Sequence, residues 1–193
     1  HHRERIEARY VARRNRRRME EIAQHIATTI RTLRGQRGWS LDRTARETGV
    51  SKAMLGQIER GESSPTVATL WKLASGFRVS FSSLLGGGVV ASDTVRHGAE
   101  AVWGEDAAGM QVEPLFPFDP WLGFELFVIT LARGAVSESA PHAPGVVEHV
   151  VVIEGELEIR LGDDWRRLVP GEGLRFAADR PHAYRNAVAT PTR

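Results

Sequence analysis

No cysteine occurs in the 193 residues, so disulfides and thiolate metal sites are excluded. No run approaches the ~20 consecutive apolar residues that a membrane span needs. The N-terminus is basic but lacks the apolar core of a secretory signal. Cytoplasmic residence, with no membrane partner, is the expectation. Hydrophobic residues make up 41% of the chain, enough for a globular core, and the length allows two modest domains or one large one.

A net charge of +2 conceals an uneven distribution. Residues 1–18 hold eight Arg against two Glu, a net of +6. Residues 19–85 hold nine basic and six acidic residues, a net of +3, whereas residues 86–193 hold nine basic and sixteen acidic, a net of −7. A basic first half suits a polyanion such as DNA, and an acidic second half avoids it. Residues 1–18 show no apolar periodicity and read as a disordered tail. They fit a DNA-binding arm, a remnant of expression, or sequence upstream of a natural start at Met19.

From Met19 the pattern becomes helical, with Ile22, Ile26, Ile30 and Leu33 on one face. Residues 39–74 then read as two short helices joined by a tight turn, followed by a third helix. Ser40 and Ser51 are placed to cap the two short helices, while Gly49 and Gly61 close them. Such a helix–turn–helix leaves its second helix outside, ready for a DNA major groove. Trp39, Leu41, Ala45, Val50, Leu55, Ile58, Val67, Leu70, Leu73 and Phe77 supply the expected core. A last helix over Ser80 to Leu85 precedes the flexible hinge Gly86-Gly87-Gly88.

Ala45, Gly49, Val50, Ser51, Leu55, Ile58, Glu59, Gly61, Pro65 and Thr66 form the pattern A-x3-GVS-x3-LxxIExG-x3-PT. This segment resembles the lambda-repressor-like, XRE-type helix–turn–helix family. Thr44 departs from it, standing where the family usually has Leu. By position, Lys52, Ala53 and Gln57 face the bases: Gln bonds adenine, Lys bonds guanine, and Ala meets a thymine methyl. Ser40, Arg43, Ser51, Arg60, Ser63, Ser64 and Thr66 flank the groove and fit phosphate contacts. Met54 is expected to be partly buried, and Glu59 to cap or pair within the domain. The resemblance implies double-stranded DNA as the partner. A homodimer would place two half-sites about 34 Å apart.

Beyond the hinge the period changes to two, with short runs such as FELFVITLA, HVVVIEG and ELEIRLG separated by Gly, Pro and Asp. Strands at such intervals predict an antiparallel sandwich or barrel. Residues 141–186 resemble a cupin, a double-stranded β-helix that binds small molecules. Gly134, His142, Glu148 and Gly155 carry one cupin motif, and Gly171, Pro181, His182 and Asn186 the other. Ala140 replaces the family's first His, and five residues separate His142 from Glu148. His142, Glu148 and His182 remain as a two-His, one-carboxylate set for Fe(II), Mn(II) or Zn(II). The alternative is a polar cluster that binds an organic effector without metal. Tyr184 and Asn186 share the face of His182 by period two and join the effector pocket, while His149 faces away.

The expected organisation is an α + β chain of two domains. Residues 1–18 are the tail, 19–85 a five-helix DNA-binding domain, 86–93 a linker, and 94–193 a cupin barrel truncated at its C-terminal end. That order of parts resembles bacterial one-component transcription regulators, among them regulators of sulfur utilisation. The resemblance implies no catalytic residue and a small effector, a sulfur-linked metabolite. The alternative function is an iron-dependent cupin enzyme with an accessory helix–turn–helix, as in proteins that oxidise a phosphonate.

Overall fold

The computed structural model describes residues 2–86, 95 and 109–193. Five helices come first: α1 (His2–Gln36), α2 (Leu41–Thr48), α3 (Lys52–Glu59), α4 (Val67–Phe77) and α5 (Phe81–Leu84). Eight strands follow: β1 (Met110–Asp119), β2 (Phe124–Leu131), β3 (Val136–Ser139), β4 (Val147–Val151), β5 (Leu157–Leu161), β6 (Asp164–Leu168), β7 (Gly173–Ala177) and β8 (His182–Arg185). Gly87 and Gly88 of the expected hinge, and residues 87–93 of the expected linker, lie outside the described residues.

Local chemistry sets the helix ends. The hydroxyls of Ser40, Ser51, Thr66 and Ser80 accept from the amides of Arg43, Met54, Thr69 and Ser83, satisfying one orphan donor in each first turn. Gly49 ends α2 with φ 68°, the left-handed conformation that turns the chain sharply into α3. Ile26, Ile30, Leu55, Ile58, Leu70, Leu73 and Phe77 are essentially inaccessible and form the helical core. Thr44 is also fully buried, and its hydroxyl donates to Ser40 O at 2.9 Å. The departure from Leu is thus absorbed by a local hydrogen bond. At Gly76, a Cβ would stand 2.6 Å from Glu47 O and Thr48 Cα, so α4 and α2 are in backbone contact there.

The expectation of disorder over residues 1–18 is corrected: α1 runs unbroken from His2. Residues 2–34 contain neither Gly nor Pro, and Arg and Ala are strong helix formers. Once the packed face around Ile26 nucleates the helix, each further residue adds a bond at little cost. Arg17 and Glu21 pair at 3.1 Å one turn apart, and Arg18 lies 3.8 Å from Glu113 on β1.

The strands are antiparallel and pair as β1–β2, as β3–β8–β5–β6 and as β4–β7. They enclose Leu157, Ile159, Leu168, Phe176 and Tyr184. Among the described residues these three sheets are not hydrogen-bonded into one closed barrel. Thr192 bridges Leu131, and the Arg193 carbonyl accepts from Ile153 and Glu154, so the end of the chain laces β2 to the β4–β5 turn.

The helical and β halves share an interface. Glu125 on β2 accepts from the amides of Phe81 and Ser82 at 3.1 and 3.0 Å, capping α5 from the other half. Ser82 Oγ in turn accepts from Phe118 N at 2.9 Å. Phe81 stacks on Trp71 at 4.2 Å and meets Phe127 edge-on at 5.4 Å.

Candidate functional site

Two groups of predicted residues lie on the two halves. On the helical half, α3 buries Leu55, Gly56, Ile58 and Glu59 and exposes Lys52, Ala53 and Gln57. Met54 is half-buried at the edge of that face. The exposed row matches the residues expected to meet base edges. What holds the row in place is a pair that the sequence did not disclose. Arg34 on α1 donates from Nε and Nη2 to both oxygens of Glu59, at 2.6 and 2.8 Å, and from Nη1 to Trp39 O at 3.1 Å. The hydrogen bonds to Glu59 raise the Arg34 pKa further above its ordinary value. Glu59 was expected to pair internally; its partner was not identified, because residues 25 apart meet only through the tertiary fold.

The flanking positions are mostly exposed. The capping hydroxyls of Ser40 and Ser51 keep a donor hydrogen that a phosphate oxygen can accept. Thr66 Oγ1 also lies 2.9 Å from Thr69 Oγ1. Ser64 is exposed, and Ser63 Oγ donates to Met54 Sδ at 3.7 Å. Three cations of this surface already face carboxylates: Lys52 with Asp42 at 2.8 Å, Arg60 with Glu62 at 2.7 Å, and Arg43 with Glu47 at 3.8 Å. All six side chains are solvent-exposed, so these pairs are screened, and a polyanion can displace the acids. Replacing Asp42 by Asn is expected to tighten duplex binding by roughly twofold to tenfold at low salt, since one fewer acid opposes the phosphates. Filter binding at two salt concentrations checks this; weaker binding would show that Asp42 positions Lys52.

On the β half, His142, Glu148 and His182 present ligand atoms that all lie within 4.8 Å of one another. His142 enters from the loop before β4, fixed by its amide donating to Ala178 O at 2.9 Å. Glu148 points inward from β4 opposite Phe176, while His149, next along the strand, is exposed as expected. His182 and Tyr184 come from β8 and are both buried. His142 Nε2 donates to Glu148 Oε1 at 2.8 Å, and the Tyr184 hydroxyl donates to Glu148 Oε2. His182 Nε2 stands 3.5 Å from Glu148 Oε1 and makes no hydrogen bond, although it is fully buried.

This geometry sets the charges. Burial alone would raise the Glu148 pKa, but the hydrogen bonds from His142 and Tyr184 and the adjacent His182 imidazole outweigh it and bring it down to about 2. Burial disfavours the His182 imidazolium, yet the nearby Glu148 carboxylate and the hydrogen bond to the Arg180 carbonyl lift its pKa above the usual histidine value. Burial and the Glu148 charge push the Tyr184 phenol well above 10. His182 Nδ1 lies 2.9 Å from Arg180 O, a carbonyl that can only accept, so the proton sits on Nδ1. In the neutral ring, Nε2 therefore aims a lone pair into the cluster. An orphaned buried imidazole nitrogen beside an ionised carboxylate and a second imidazole fits a divalent ion that takes nitrogen and oxygen donors.

Asn186 does not belong to this cluster, which corrects its placement in the pocket. It is fully buried, and its Nδ2 donates to Leu131 O at 3.1 Å and Thr190 O at 2.8 Å, while its Oδ1 accepts from Val188 N. Period two failed there because β8 ends at Arg185, and the side chain turns to clamp the loop that follows. Trp71 was missed in the opposite sense. Its indole, on α4, lies 4.6 Å from the His142 ring. Nothing in the helical pattern marked it, since a tryptophan on an amphipathic helix reads as core.

Residues 30–84 match the helix–turn–helix family and residues 127–193 the cupin domain family. The HTH-type transcriptional regulator SutR of Escherichia coli K12 is 53% identical over 168 residues, which cover 87% of this chain and 90% of that protein. The HTH-type transcriptional regulator SlrR of Bacillus subtilis 168 is 33% identical over 99 residues, 48% of this chain and 64% of that protein. A crystal structure of an HTH_3 family transcriptional regulator from Vibrio cholerae superposes with a TM-score of 0.74 at 42% identity, covering 90% of this chain and 93% of that one. With its reading helix exposed and a polar cluster enclosed by the strands, the chain belongs to the family of bacterial transcriptional regulators that join an XRE-type helix–turn–helix to a cupin domain.

Proposed function

We propose that this regulator reads duplex DNA as a homodimer through Lys52, Ala53 and Gln57, and that its cupin senses a small anionic effector at His142, Glu148, His182 and Tyr184. The observation that carries the sensing reading is the buried, unsatisfied Nε2 of His182 facing an ionised Glu148. A polar atom left unpaired inside a protein is costly unless something binds it. His142, Glu148 and His182 would hold Fe(II), Mn(II) or Zn(II), which would supply a Lewis-acidic anchor for an anionic group of the effector. Tyr184 orients Glu148 and closes one side of the site. The resemblance to regulators of sulfur utilisation points to a sulfur-containing amino acid as the effector. Its carboxylate suits the anchor, and its amino group suits Glu148. Such a regulator acts in the bacterial cytoplasm, where the chromosome is.

The test begins with the reading face. Gln57→Ala is expected to lose ~1–3 kcal/mol at one base pair of each half-site and to relax preference there. Selection from a randomised duplex library, compared with the parent, reads this directly. If the variant selects the same sequence with the same stringency, Gln57 does not read a base.

The homodimer is supported by an exposed apolar face on the β1–β2 hairpin. Trp121 and Leu122 at its tip are 95% and 66% exposed. Phe116 and Leu126 are directly paired across the strands, so they share one face, and both are exposed, as is Phe124. Contiguous apolar surface of this kind marks an association site. Trp121→Asp with Phe124→Asp is expected to give a monomer by sedimentation velocity and to weaken binding to a two-half-site duplex at least tenfold. A variant that stays dimeric places the interface elsewhere.

The second reading, an iron-dependent oxidative enzyme, rests on the same His–Glu–His set. Stoichiometric iron in the purified protein, together with no selective DNA binding by the parent, would favour it.

A further inference from the structure

Trp71 lies where the helical half meets the cupin cluster. Its indole stacks on Phe81 with centroids 4.2 Å apart, meets Phe127 of β2 edge-on at 5.8 Å, and tilts against the His142 imidazole at 4.6 Å. On its other side, His142 bonds Glu148 at 2.8 Å, and its ring stands 5.3 Å from that of His182. Any group that binds between these ligands must share or take His142 Nε2 from Glu148. The imidazole cannot then turn without pressing on, or releasing, the indole.

We propose that Trp71 is a positioning residue of the cupin site, so that the DNA-reading half supplies one wall of the place where a divalent cation binds. This rests on the metal reading above and adds to it the route by which occupancy reaches DNA. Trp71 belongs to α4, and α4 has no slack against α2: at Gly76 even a methyl group would collide with the Glu47–Thr48 backbone at 2.6 Å. A displacement of α4 is therefore passed to α2 rather than absorbed. The α2 helix in turn packs directly on α3, which carries Lys52, Ala53 and Gln57. The route from cation to reading face is His142, Trp71, α4, α2 and α3, each step a contact in the structure. Equal binding to the two arrangements would shift nothing, so the ion must favour one setting of His142 over the other.

Coupling of this kind is reciprocal: if the ion changes DNA affinity by some factor, DNA changes ion affinity by the same factor. The experiment uses the full chain, Co(II) as the probe, and a duplex that the parent selects from a random library. Calorimetry gives the Co(II) Kd with and without that duplex. In the parent the two values are expected to differ by roughly 5- to 150-fold. In Trp71→Leu the ratio is expected to fall to within twofold of one, while Co(II) and DNA are each still bound. A merely structural role for Trp71 would weaken binding without changing that ratio. Trp71→Phe keeps a ring in place and is expected to retain part of the coupling; it decides the matter if the leucine variant does not fold, since a ratio equal to the parent's would overturn the proposal. A parental ratio in Trp71→Leu overturns it too. Co(II) binding in the parent with a ratio of one removes the coupling and leaves the metal site standing. No Co(II) binding in the parent removes both.

Discussion

Replacing Arg34 by Met is expected to destabilise the helical half by about 3 kcal/mol and to abolish selective DNA binding at 37 °C. The aliphatic part of the side chain survives, but both oxygens of Glu59, a buried residue, lose their donors. An unpaired carboxylate in that position costs far more than the pair contributed, which is why breaking a buried pair is worse than never having one. The figure sits at the lower end for such pairs because the Arg34 side chain keeps 25% of its surface in water. Removing both charges, as Arg34→Met with Glu59→Leu, is expected to recover most of the stability. Urea unfolding followed by circular dichroism measures each variant. If the double variant is as unstable as the single one, the penalty lies in lost packing rather than in a stranded charge.

The second large effect is expected at Glu148. Glu148→Gln is nearly isosteric, yet it replaces an anion that unites His142, His182 and Tyr184 with a neutral amide. Co(II) affinity is expected to drop by more than about 100-fold, beyond the loss usual for a residue that only supports a ligand. Effector-free DNA affinity should stay near that of the parent. In the parent, Co(II) binding should weaken as pH falls, because imidazoles must be neutral to ligate. Glu148 raises the His182 pKa, so the weakening begins above the ordinary imidazole range. Far lower, as pH falls from 4.5 towards about 2, Glu148 itself takes a proton, and whatever stability its low pKa contributes is lost. Unchanged Co(II) binding in the glutamine variant would show that the carboxylate is not a ligand.

The parts legible in the sequence are those fixed by neighbours a few residues away. Ser40 and Ser51 cap helices because a hydroxyl reaches an amide three positions on, and Gly49 turns the chain because only its own φ matters. The exposed row of Lys52, Ala53 and Gln57 follows from helical period, and Glu148 with its outward neighbour His149 follows from strand period. What failed depended on distant partners or on elements without a strong pattern. Arg34 looks like any exposed cation until Glu59 is folded against it. The β6 strand, Asp164–Leu168, carries two Arg and an Asp with little apolar alternation, and it is recruited by a tight hairpin with β5. The N-terminal segment lacked apolar periodicity, but a helix can be extended by propensity alone once its far end is packed. Asn186 shows the converse, a periodic position that left its strand one residue too early.

Glu125 has a further consequence, for protein engineering. A chain cut after residue 86 would retain every residue proposed to face DNA, yet it would lose the carboxylate that receives the amides of Phe81 and Ser82. It would also bare the rings of Trp71 and Phe81 that Phe127 covers. The reader is therefore not an interchangeable cartridge. A chimera that grafts it onto a foreign sensor needs an acidic residue and an aromatic ring presented from one strand at matching positions, and grafts lacking them should be recovered mainly as aggregates.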